Sequence, residues 1–544
     1  MSGIVLILLA MVMFTAVYKY YGSFLSNKLK ISNDNQTPSH TMADGVDYCP
    51  AKSPVLLGHH FASIAGAGPI VGPIIAASFG WVPVYLWILI GASFIGGVHD
   101  YTTIIASVRH KGKSIGQIIE TYIGTSGKKL FLLFSWSTLL LVIAVFTIIV
   151  ADTFTHIPSS GTSSLLFILL AVGFGLATTR FKTSLLVSSI IGVILLFTCI
   201  YLGNKFPLQL SKDIWILILL GYIFIASVTP VWILLQPRDY LNSYFLYTLI
   251  LGGIAGLFFT MPSVNLAPVT SFSVDKVGYL FPALFVTVAC GAISGFHSIV
   301  GSGTTSKQLD KESDAKIIGF GGMLIEGILA VLALLSVASL DQTHFLELLN
   351  TKGAVAAFSS GVANFIHNIP FLGIKTEHAA NFAALAVSAF ALTSLDTATR
   401  LGRYSFQEFF EVEEKKEQSI LVKNRFVATS ITVVIAGALT FSGQSMVIWP
   451  LFGSANQMLA AIALLAITVW ISNLKLNYLF TLIPMIFMFL VTLTALATLI
   501  YSNTMQSNFS LTIIAIVLFV LAIILGYQAY KVLRNKEKVV LTAK

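Results

Sequence analysis

Runs of about 20 apolar residues recur along almost the whole chain, and short polar stretches separate them. A helix of that length can cross the hydrocarbon core of a bilayer. The pattern therefore predicts an all-α polytopic membrane protein with about fifteen transmembrane helices. The predicted spans are 3–21, 54–78, 81–107, 130–150, 163–179, 183–203, 214–235, 244–262, 280–300, 317–339, 378–396, 425–442, 446–471, 477–500 and 509–530.

The composition agrees with a chain that lies mostly in lipid. Of its 544 residues, 56% are hydrophobic and only 10% are charged, whereas a soluble domain carries about 25% charged residues. The net charge of +9 is assigned to loops at the membrane surface, and no basic and aromatic patch suggests a nucleic-acid partner. The three cysteines lie far apart without a CxxC or Cys/His zinc spacing, so neither a disulfide framework nor an iron–sulfur site is supported. No cofactor is predicted.

The distribution of basic residues predicts the orientation. If the N-terminus lies outside, most Lys and Arg residues fall in cytoplasmic loops, among them Arg109–Lys129, Lys307–Lys316, Arg400–Arg425 and Lys531–Lys544. This is the asymmetry of the positive-inside rule, so the C-terminus is predicted to be cytoplasmic. The first apolar run has no basic residue before it, so we expect a retained helix rather than a secretory signal.

The predicted span 54–78 contains residues that interrupt a helix, namely Gly66, Ala67, Gly68 and Pro69. Proline lacks a backbone donor, and glycine adds conformational freedom. Backbone groups freed in this way cost several kcal/mol in lipid unless protein or water satisfies them. An interrupted membrane helix therefore usually lines a cavity, although a structural kink is the alternative.

A second interruption is predicted five spans later, at Pro230 within span 214–235. Two breaks in spans of opposed direction are typical of transporters with inverted repeats. The predicted division is 1–53 as a leading helix with a cytoplasmic loop, 54–203 and 214–396 as the two repeats, 397–424 as a cytoplasmic linker, and 425–544 as four additional helices.

Four ionisable residues are predicted near the cytoplasmic ends of two neighbouring spans: His59 and His60 in the first, His99 and Asp100 in the second. Antiparallel packing could bring them together. Three interpretations stay open, because a His–Asp set can relay protons, bind a transition metal or form structural hydrogen bonds.

Further polar residues occur at membrane depth in the second half of the chain. Glu326 lies near the middle of span 317–339, where it could carry a proton or stay neutral beside a hydroxyl. Asp396 and Arg400 are one turn apart and are expected to form a structural pair. The remaining candidates for ion coupling, with close glycine packing as the alternative, are Ser294, His297, Ser298, Thr304 and Thr305.

Two other segments carry weaker expectations. Residues 345–372 are only moderately apolar, so we expect an amphipathic or re-entrant segment on the outer face, either a gate or a surface helix. Asn456 and Gln457 open a late span and are expected to form hydrogen bonds between helices, because both amides are costly in lipid.

Four stretches resemble the carbon starvation protein A (CstA) family: HHFASIAGAGPI from position 59, GVHDY from 97, DGVDY from 44 and WPLFGSANQ from 449. The resemblance implies a bacterial inner-membrane importer of small peptides or pyruvate, used during carbon starvation. It also implies the amino acid–polyamine–organocation superfamily, with a LeuT-like core of five-plus-five inverted repeats. By analogy with that core, the residues expected to contact substrate are Gly66, Ala67, Gly68, Pro69, Ser227, Thr229, Pro230 and Trp232.

The predicted function is secondary-active uptake by alternating access, coupled to a cation gradient, with the proton as the expected ion. Peptide and pyruvate stay open as substrates, as do Na⁺ coupling and the oligomeric state. The alternative is a metal-ion transporter or an ion channel that uses the His59, His60, His99 and Asp100 group. An intramembrane enzyme is disfavoured, because the HExxH pattern and paired catalytic carboxylates are absent.

Overall fold

The structure is a computed structural model, and its described residues are 2–44, 48–181, 183–230, 234–274, 277–411, 419–442 and 445–534. Trp232, the centre of the 44–48 motif and part of the predicted 397–424 linker lie outside these ranges.

Almost all of the described chain is helical, in keeping with the predicted all-α class. The helices are α1 Gly3–Lys28, α2 Pro38–Thr41, α3 Ser53–Ala65, α4 Gly68–Ala76, α5 Trp81–Gly91, α6 Gly97–Arg109, α7 Ile115–Ile123, α8 Thr125–His156, α9 Pro158–Thr179, α10 Leu185–Lys205, α11 Lys212–Val228, α12 Leu235–Thr260, α13 Leu280–Thr287, α14 Gly295–Gly303, α15 Gly322–Ala338, α16 Gln342–His367, α17 Thr376–Phe410, α18 Ile420–Lys423, α19 Arg425–Ser442, α20 Ser445–Asn473, α21 Leu479–Met505 and α22 Phe509–Arg534. Strands β1 Ser273–Val274 and β2 Gly278–Tyr279 pair antiparallel, with Ser273 opposite Tyr279 and Val274 opposite Gly278.

Within the described residues, twelve helices are long and apolar enough to cross a membrane, and the bent pair α3–α4 raises the number to 13. The chain is therefore a multi-pass membrane protein. The two remaining predicted spans are not single long helices: 214–235 contains the 17-residue α11, and 280–300 contains the short helices α13 and α14. A 17-residue helix is about 25 Å long, slightly less than the hydrocarbon core of about 30 Å. The count of about fifteen spans stays a prediction.

The connecting segments meet in two groups at opposite ends of the bundle. At one end Arg109 Nε donates to Glu312 Oε1 over 2.8 Å, and the Ala51 N–H donates to the Gln308 carbonyl over 2.9 Å. At the other end the Gly3 N–H donates to the Pro262 carbonyl over 2.8 Å. Each group consists of loops that were predicted to lie on the same side of the membrane. After the predicted orientation, we name the end that contains Glu312 the inner end and the end that contains Pro262 the outer end.

The structure does not place Pro230 inside a helix. Helix α11 ends at Val228 and α12 begins at Leu235, so Pro230 lies in the connection between two helices. Proline has no N–H with which to bond the Ala226 carbonyl. Arg400 instead donates to that carbonyl over 2.9 Å and also to the Thr229 carbonyl, so a buried arginine satisfies the end of α11.

Two other expectations about the second half change. Helix α17 does not end at 396 but continues to Phe410, so the first part of the predicted 397–424 linker is helical. Residues 342–367 form α16, which is kinked at Gly353 (φ 80°) and is not among the candidate spans. The segment is therefore a helix packed between neighbours, including α4, α12 and α17.

The order of elements recurs along the chain. The short pair α3–α4, the helices α5 and α6 joined by a π-helical segment, the short α7 and the 32-residue α8 come first. The short pair α13–α14, a π-helical segment leading into α15, then α16 and the 35-residue α17 follow the same order. Helix α3 contacts α14 and α4 contacts α13, so the two short pairs run in opposite directions.

Candidate functional site

The first break lies where α3 meets α4, and the two helices are bent by 43°. Gly66 has φ +36°, a conformation that glycine adopts without a Cβ clash. A Cβ there would lie 2.6 Å from Ser394 Oγ on α17, and a Cβ at Gly68 would collide with Cys290. The predicted interruption at Gly66–Pro69 is thus present, with α17 and the α13–α14 connection packed against it.

The second break lies between α13 and α14, and α20 supports it. Asn456 Oδ1 accepts from the Phe296 N–H over 2.9 Å, and its Nδ2 donates to Ser294 Oγ over 3.0 Å. Gln457 donates to the Phe285 carbonyl. The predicted interhelical hydrogen bonds of Asn456 and Gln457 are confirmed, and they hold the backbone that α13 and α14 leave unpaired.

Four buried ionisable side chains meet beside the two breaks, and we call His99, Asp100, His297 and Glu326 the coupling cluster. The Nδ1 atoms of His99 and His297 each donate to one carboxylate oxygen of Asp100, over 2.7 and 2.8 Å. His297 Nε2 lies 3.4 Å from Glu326 Oε2. Residues of α6, α14 and α15 therefore form one continuous line of titratable groups.

The coupling cluster has open hydrogen-bonding capacity. Within the described part of the chain, neither oxygen of Glu326 nor Nε2 of His99 has a hydrogen-bond partner. Buried polar groups without partners are costly, and each calls for an explanation. No fixed cation belongs to this cluster, so a proton or another small cation is the species that would balance its carboxylates.

His60 and Thr305 lie next to the coupling cluster. His60 Nδ1 is 2.8 Å from Thr305 Oγ1. The His60 ring lies 3.5 Å from the position of a Cβ on Gly322, one helical turn before Glu326 on α15. The structure thus brings together His60, His99 and Asp100 of the predicted group, and it adds Glu326 and His297, which the sequence analysis had treated separately.

Three other predicted ion-coupling residues face elsewhere. Ser298 Oγ donates to the Gly295 carbonyl over 2.6 Å, and Thr304 Oγ1 donates to the Val300 carbonyl over 2.8 Å. Both hydroxyls therefore bond their own helix. Ser294 bonds Asn456 and supports the second break.

His59 faces away from the coupling cluster into a second group of charges. This Arg238 cluster consists of Arg238, Asp239, Asp396, Tyr222 and His59. Arg238 donates to Asp396 and to Asp239 Oδ1 over 3.2 Å, and the Tyr222 hydroxyl donates to Asp396 over 2.7 Å. His59 Nδ1 lies 3.6 Å from Asp239 Oδ2.

The expected Asp396–Arg400 pair is wrong, because Asp396 bonds Arg238 and Arg400 bonds backbone carbonyls. Arg238 and Asp239 were missed because the sequence analysis placed them in a loop between two spans. Pro237 is the residue that could have indicated their position. Proline is favoured in the first turn of a helix, so the two residues that follow Pro237 lie inside α12.

The second predicted substrate stretch does not lie at either break. Ser227 Oγ is 3.4 Å from Thr429 Oγ1 on α19, and Thr229 offers its carbonyl to Arg400. Within the described residues, Gly66–Pro69 is the one stretch expected to contact substrate that lies at a helix break.

A cavity of about 350 Å³ opens at the outer end, beside α4, α8 and the kink of α16. Its lining includes Val71 and Ile75 of α4, the buried Trp449, and the ion pair of Lys212 Nζ and Asp152 Oδ1, 2.7 Å apart. Within the described residues, no group of three or more His, Cys, Asp or Glu side chains could hold a metal ion. The metal alternative therefore has no geometric support there.

A polytopic bundle with titratable groups buried where two broken helices cross is typical of membrane transporters. The carbon starvation protein CstA family matches residues 2–352 and 346–495. The chain is 30% identical to the peptide transporter CstA of Bacillus subtilis, over 98% of this chain and 97% of that protein. It is 33% identical to the peptide transporter CstA of Helicobacter pylori, over 83% of this chain and 75% of that protein.

The pyruvate/proton symporter BtsT of Escherichia coli is 28% identical, over 93% of this chain and 82% of that protein. The chain therefore belongs to the carbon starvation protein CstA family. The relatives named here are called transporters or symporters, and none of these names supports the channel alternative or an enzyme.

Proposed function

We propose that this chain is a secondary-active importer that takes up a small carboxylate-bearing nutrient, pyruvate or a small peptide, together with protons. The observation that carries the proposal is the coupling cluster, because its buried carboxylates have no fixed counter-charge and lie at the crossing of the broken helices. The names of the relatives, peptide transporter and pyruvate/proton symporter, support the same chemistry.

We propose in addition that the helices form a LeuT-like inverted repeat of the amino acid–polyamine–organocation type. The recurring order of a short pair, a π-containing helix, an intervening helix (α7 or α16) and a long helix supports it. In this arrangement α3–α4 and α13–α14 are the two broken helices, and the second repeat begins at α13 rather than at residue 214. The predicted boundaries 54–203 and 214–396 would shift accordingly.

The path for substrate would begin at the outer cavity and reach the break at Gly66–Pro69. The Gly68 N–H and the positive end of the α4 dipole suit a carboxylate, which pyruvate and every peptide carry. The membrane would be the bacterial cytoplasmic membrane, with the N-terminus outside and the C-terminus inside. For a zwitterionic peptide taken up with one proton, movement of that one charge through 100 mV supplies about 2.3 kcal/mol, enough for about fifty-fold accumulation.

Uptake into proteoliposomes tests the proposal and separates the two substrates. Labelled pyruvate and labelled dialanine are each offered with a pH gradient alone and with a membrane potential alone. Pyruvate with one proton carries no net charge, so its accumulation should follow the pH gradient and ignore the potential. A zwitterionic dipeptide with one proton carries one charge and should follow both. If neither compound accumulates under either gradient, the importer proposal fails.

A further inference from the structure

Helix α3 carries two consecutive histidines that face different clusters. Neighbouring residues on a helix differ by about 100° in direction, so His59 and His60 cannot share one face. His60 faces Thr305 and the coupling cluster, whereas His59 faces Asp239 on α12. The first half of the broken helix therefore lies between two buried groups of charges.

The Arg238 cluster contains more negative than positive charge. Arg238 is a single permanent cation bonded to two buried carboxylates, Asp239 and Asp396. Within the described residues, Asp239 Oδ2 and Asp396 Oδ1 have no hydrogen-bond partner. An excess charge with unfilled acceptors is costly in a buried site, so this cluster suits one more proton.

His59 is the group that can bring this proton. Its Nδ1 lies 3.6 Å from Asp239 Oδ2, and its side chain is 18% exposed, whereas that of Asp239 is 1% exposed. His59 lies in the second turn of α3, whose first residue is at the inner end. His59 is thus nearer to the inner solution than Asp239 is, and it lies on a different face of α3 from the coupling cluster.

We propose that His59 and Asp239 form a second proton-binding site, distinct from the coupling cluster, which holds α3 against α12 when it is protonated. A proton on His59 makes an ion pair across the two helices and cancels the excess charge. Loss of the proton leaves a neutral ring beside an uncompensated carboxylate, and the contact between α3 and α12 weakens. Because α3 is half of a broken helix, its release would open the inner end.

Other charged or titratable groups face this pair from α11, α12 and α17. Arg238 comes from α12 and Asp396 from α17, while the Tyr222 hydroxyl of α11 bonds Asp396. The Tyr247 hydroxyl of α12 lies 3.6 Å from the position of a Cβ on Gly58, the residue before His59. Arg238 carries a fixed charge, and Asp396 and Tyr222 bond each other. His59 is therefore the group through which the proposal expects pH to act.

The native Cys290 reports opening of the inner end, because its thiol packs against Gly68 at the break and is buried. In a chain with Cys49→Ser and Cys199→Ala, Cys290 is the remaining thiol of the three. The rate of its alkylation by a membrane-permeant maleimide is measured from about pH 5 to 8, the range in which histidine titrates. Each rate is divided by that of the same chain with His59→Gln, which cancels the thiol's own pH dependence.

The proposal expects the chain with His59 to label about ten-fold more slowly than His59→Gln at about pH 5 and equally fast near pH 8. His344→Gln, an exposed histidine on α16, serves as the matched control and should follow the chain with His59 throughout. Asp239→Asn should label fast at every pH. A ratio that does not change with pH overturns the proposal.

The proposal rests on the proposed function only in that α3 moves during transport. Labelling needs no substrate, so its result is independent of the uptake assay. If Glu326→Gln keeps normal gradient-driven uptake while the labelling ratio changes with pH, the coupling role fails and the second proton site stands. If instead Glu326→Gln loses gradient-driven uptake and the labelling ratio does not change with pH, the second proton site fails and the coupling role stands.

Discussion

The coupling cluster and the Arg238 cluster lie on two faces of α3, and both bury carboxylates, but different groups balance them. The coupling cluster has two carboxylates and two histidines and no permanent cation. The Arg238 cluster holds its carboxylates with a guanidinium that keeps its charge at every physiological pH. The first cluster therefore has no fixed counter-charge, whereas the second has a fixed centre that joins helices and one histidine at its edge.

The largest expected effect comes from removing the fixed cation. Arg238→Met leaves Asp239 and Asp396 buried without a counter-charge, and breaking a buried ion pair by removing one partner costs about 3–5 kcal/mol. Thermal unfolding in detergent should show a large loss of stability. Glu326→Gln, which removes a carboxylate without a fixed partner, should destabilise far less. If Arg238→Met and the unaltered chain are equally stable, the Arg238 cluster does not stabilise the fold.

A second expected effect lies within the coupling cluster. Asp100→Asn can accept one histidine hydrogen bond but presents its NH₂ group to the other, so one of His99 and His297 loses its partner. The unpaired buried donor costs about 1–3 kcal/mol, and proton-driven uptake should fall at least ten-fold. The matched control Asp213→Asn alters an exposed carboxylate at the start of α11 and should transport normally. Normal uptake by Asp100→Asn contradicts the assigned role.

A smaller effect is expected where α3 touches the coupling cluster. Thr305→Val is nearly the same size but removes the hydroxyl bonded to His60, which costs about 1 kcal/mol. The initial rate of uptake should fall several-fold. Thr304→Val is the neighbouring control, because its hydroxyl bonds its own helix. If both variants transport alike, the His60–Thr305 bond does not position the cluster.

The smallest effect concerns an acid–arginine pair outside the membrane-spanning segments. Burial raises the pKa of Glu312, but hydrogen bonds from Arg109, Asn35 and the Ser32 N–H outweigh it, so the pKa lies below its ordinary value. The stabilisation is therefore complete above the ordinary pKa and disappears as the pH falls through the lowered one. The Arg109 side chain is 24% exposed, so solvent screens this pair more than the pair of Arg238 and Asp396, whose side chains are 2% and 0% exposed.

Unfolding of Glu312→Gln measured from pH 7 down to about pH 3 checks this sign. The stability difference from the unaltered chain should be constant near neutral pH and shrink in acid. A difference that grows as the pH falls would show that Glu312 is stabilised in its protonated form instead.

The apolar pattern was enough to predict where most of the helices lie. It failed to predict helix ends and breaks at which side chains from distant helices replace the backbone hydrogen bonds. The break at Gly66–Pro69 can be predicted from the local sequence, because glycine and proline themselves interrupt the helix. The end of α11 cannot, because it depends on Arg400 of α17, which is far away in the sequence. Similarly, 280–300 looks like one apolar span, but Asn456 of α20 stabilises its interruption.

The site was predicted in pieces. His99, Asp100 and Glu326 follow from their charge at membrane depth, and His297 follows from the polar stretch around it. Periodicity could not show that His297 and Glu326 join Asp100. Nor could it show that His59 and His60 separate, since this depends on the direction in which α3 presents each ring. Spacing along one helix pairs Asp396 with Arg400. It contains no information about α12, which carries Arg238, the residue that Asp396 bonds.

The most direct test of the account compares accumulation with exchange in Glu326→Gln, using whichever of pyruvate and dialanine accumulates in the unaltered protein. Exchange of internal for external substrate needs no net proton movement, so Glu326→Gln should exchange at the normal rate and fail to accumulate under a pH gradient. Glu347→Gln, an exposed glutamate on α16, should do both. Accumulation by Glu326→Gln at the normal level would contradict coupling through this cluster.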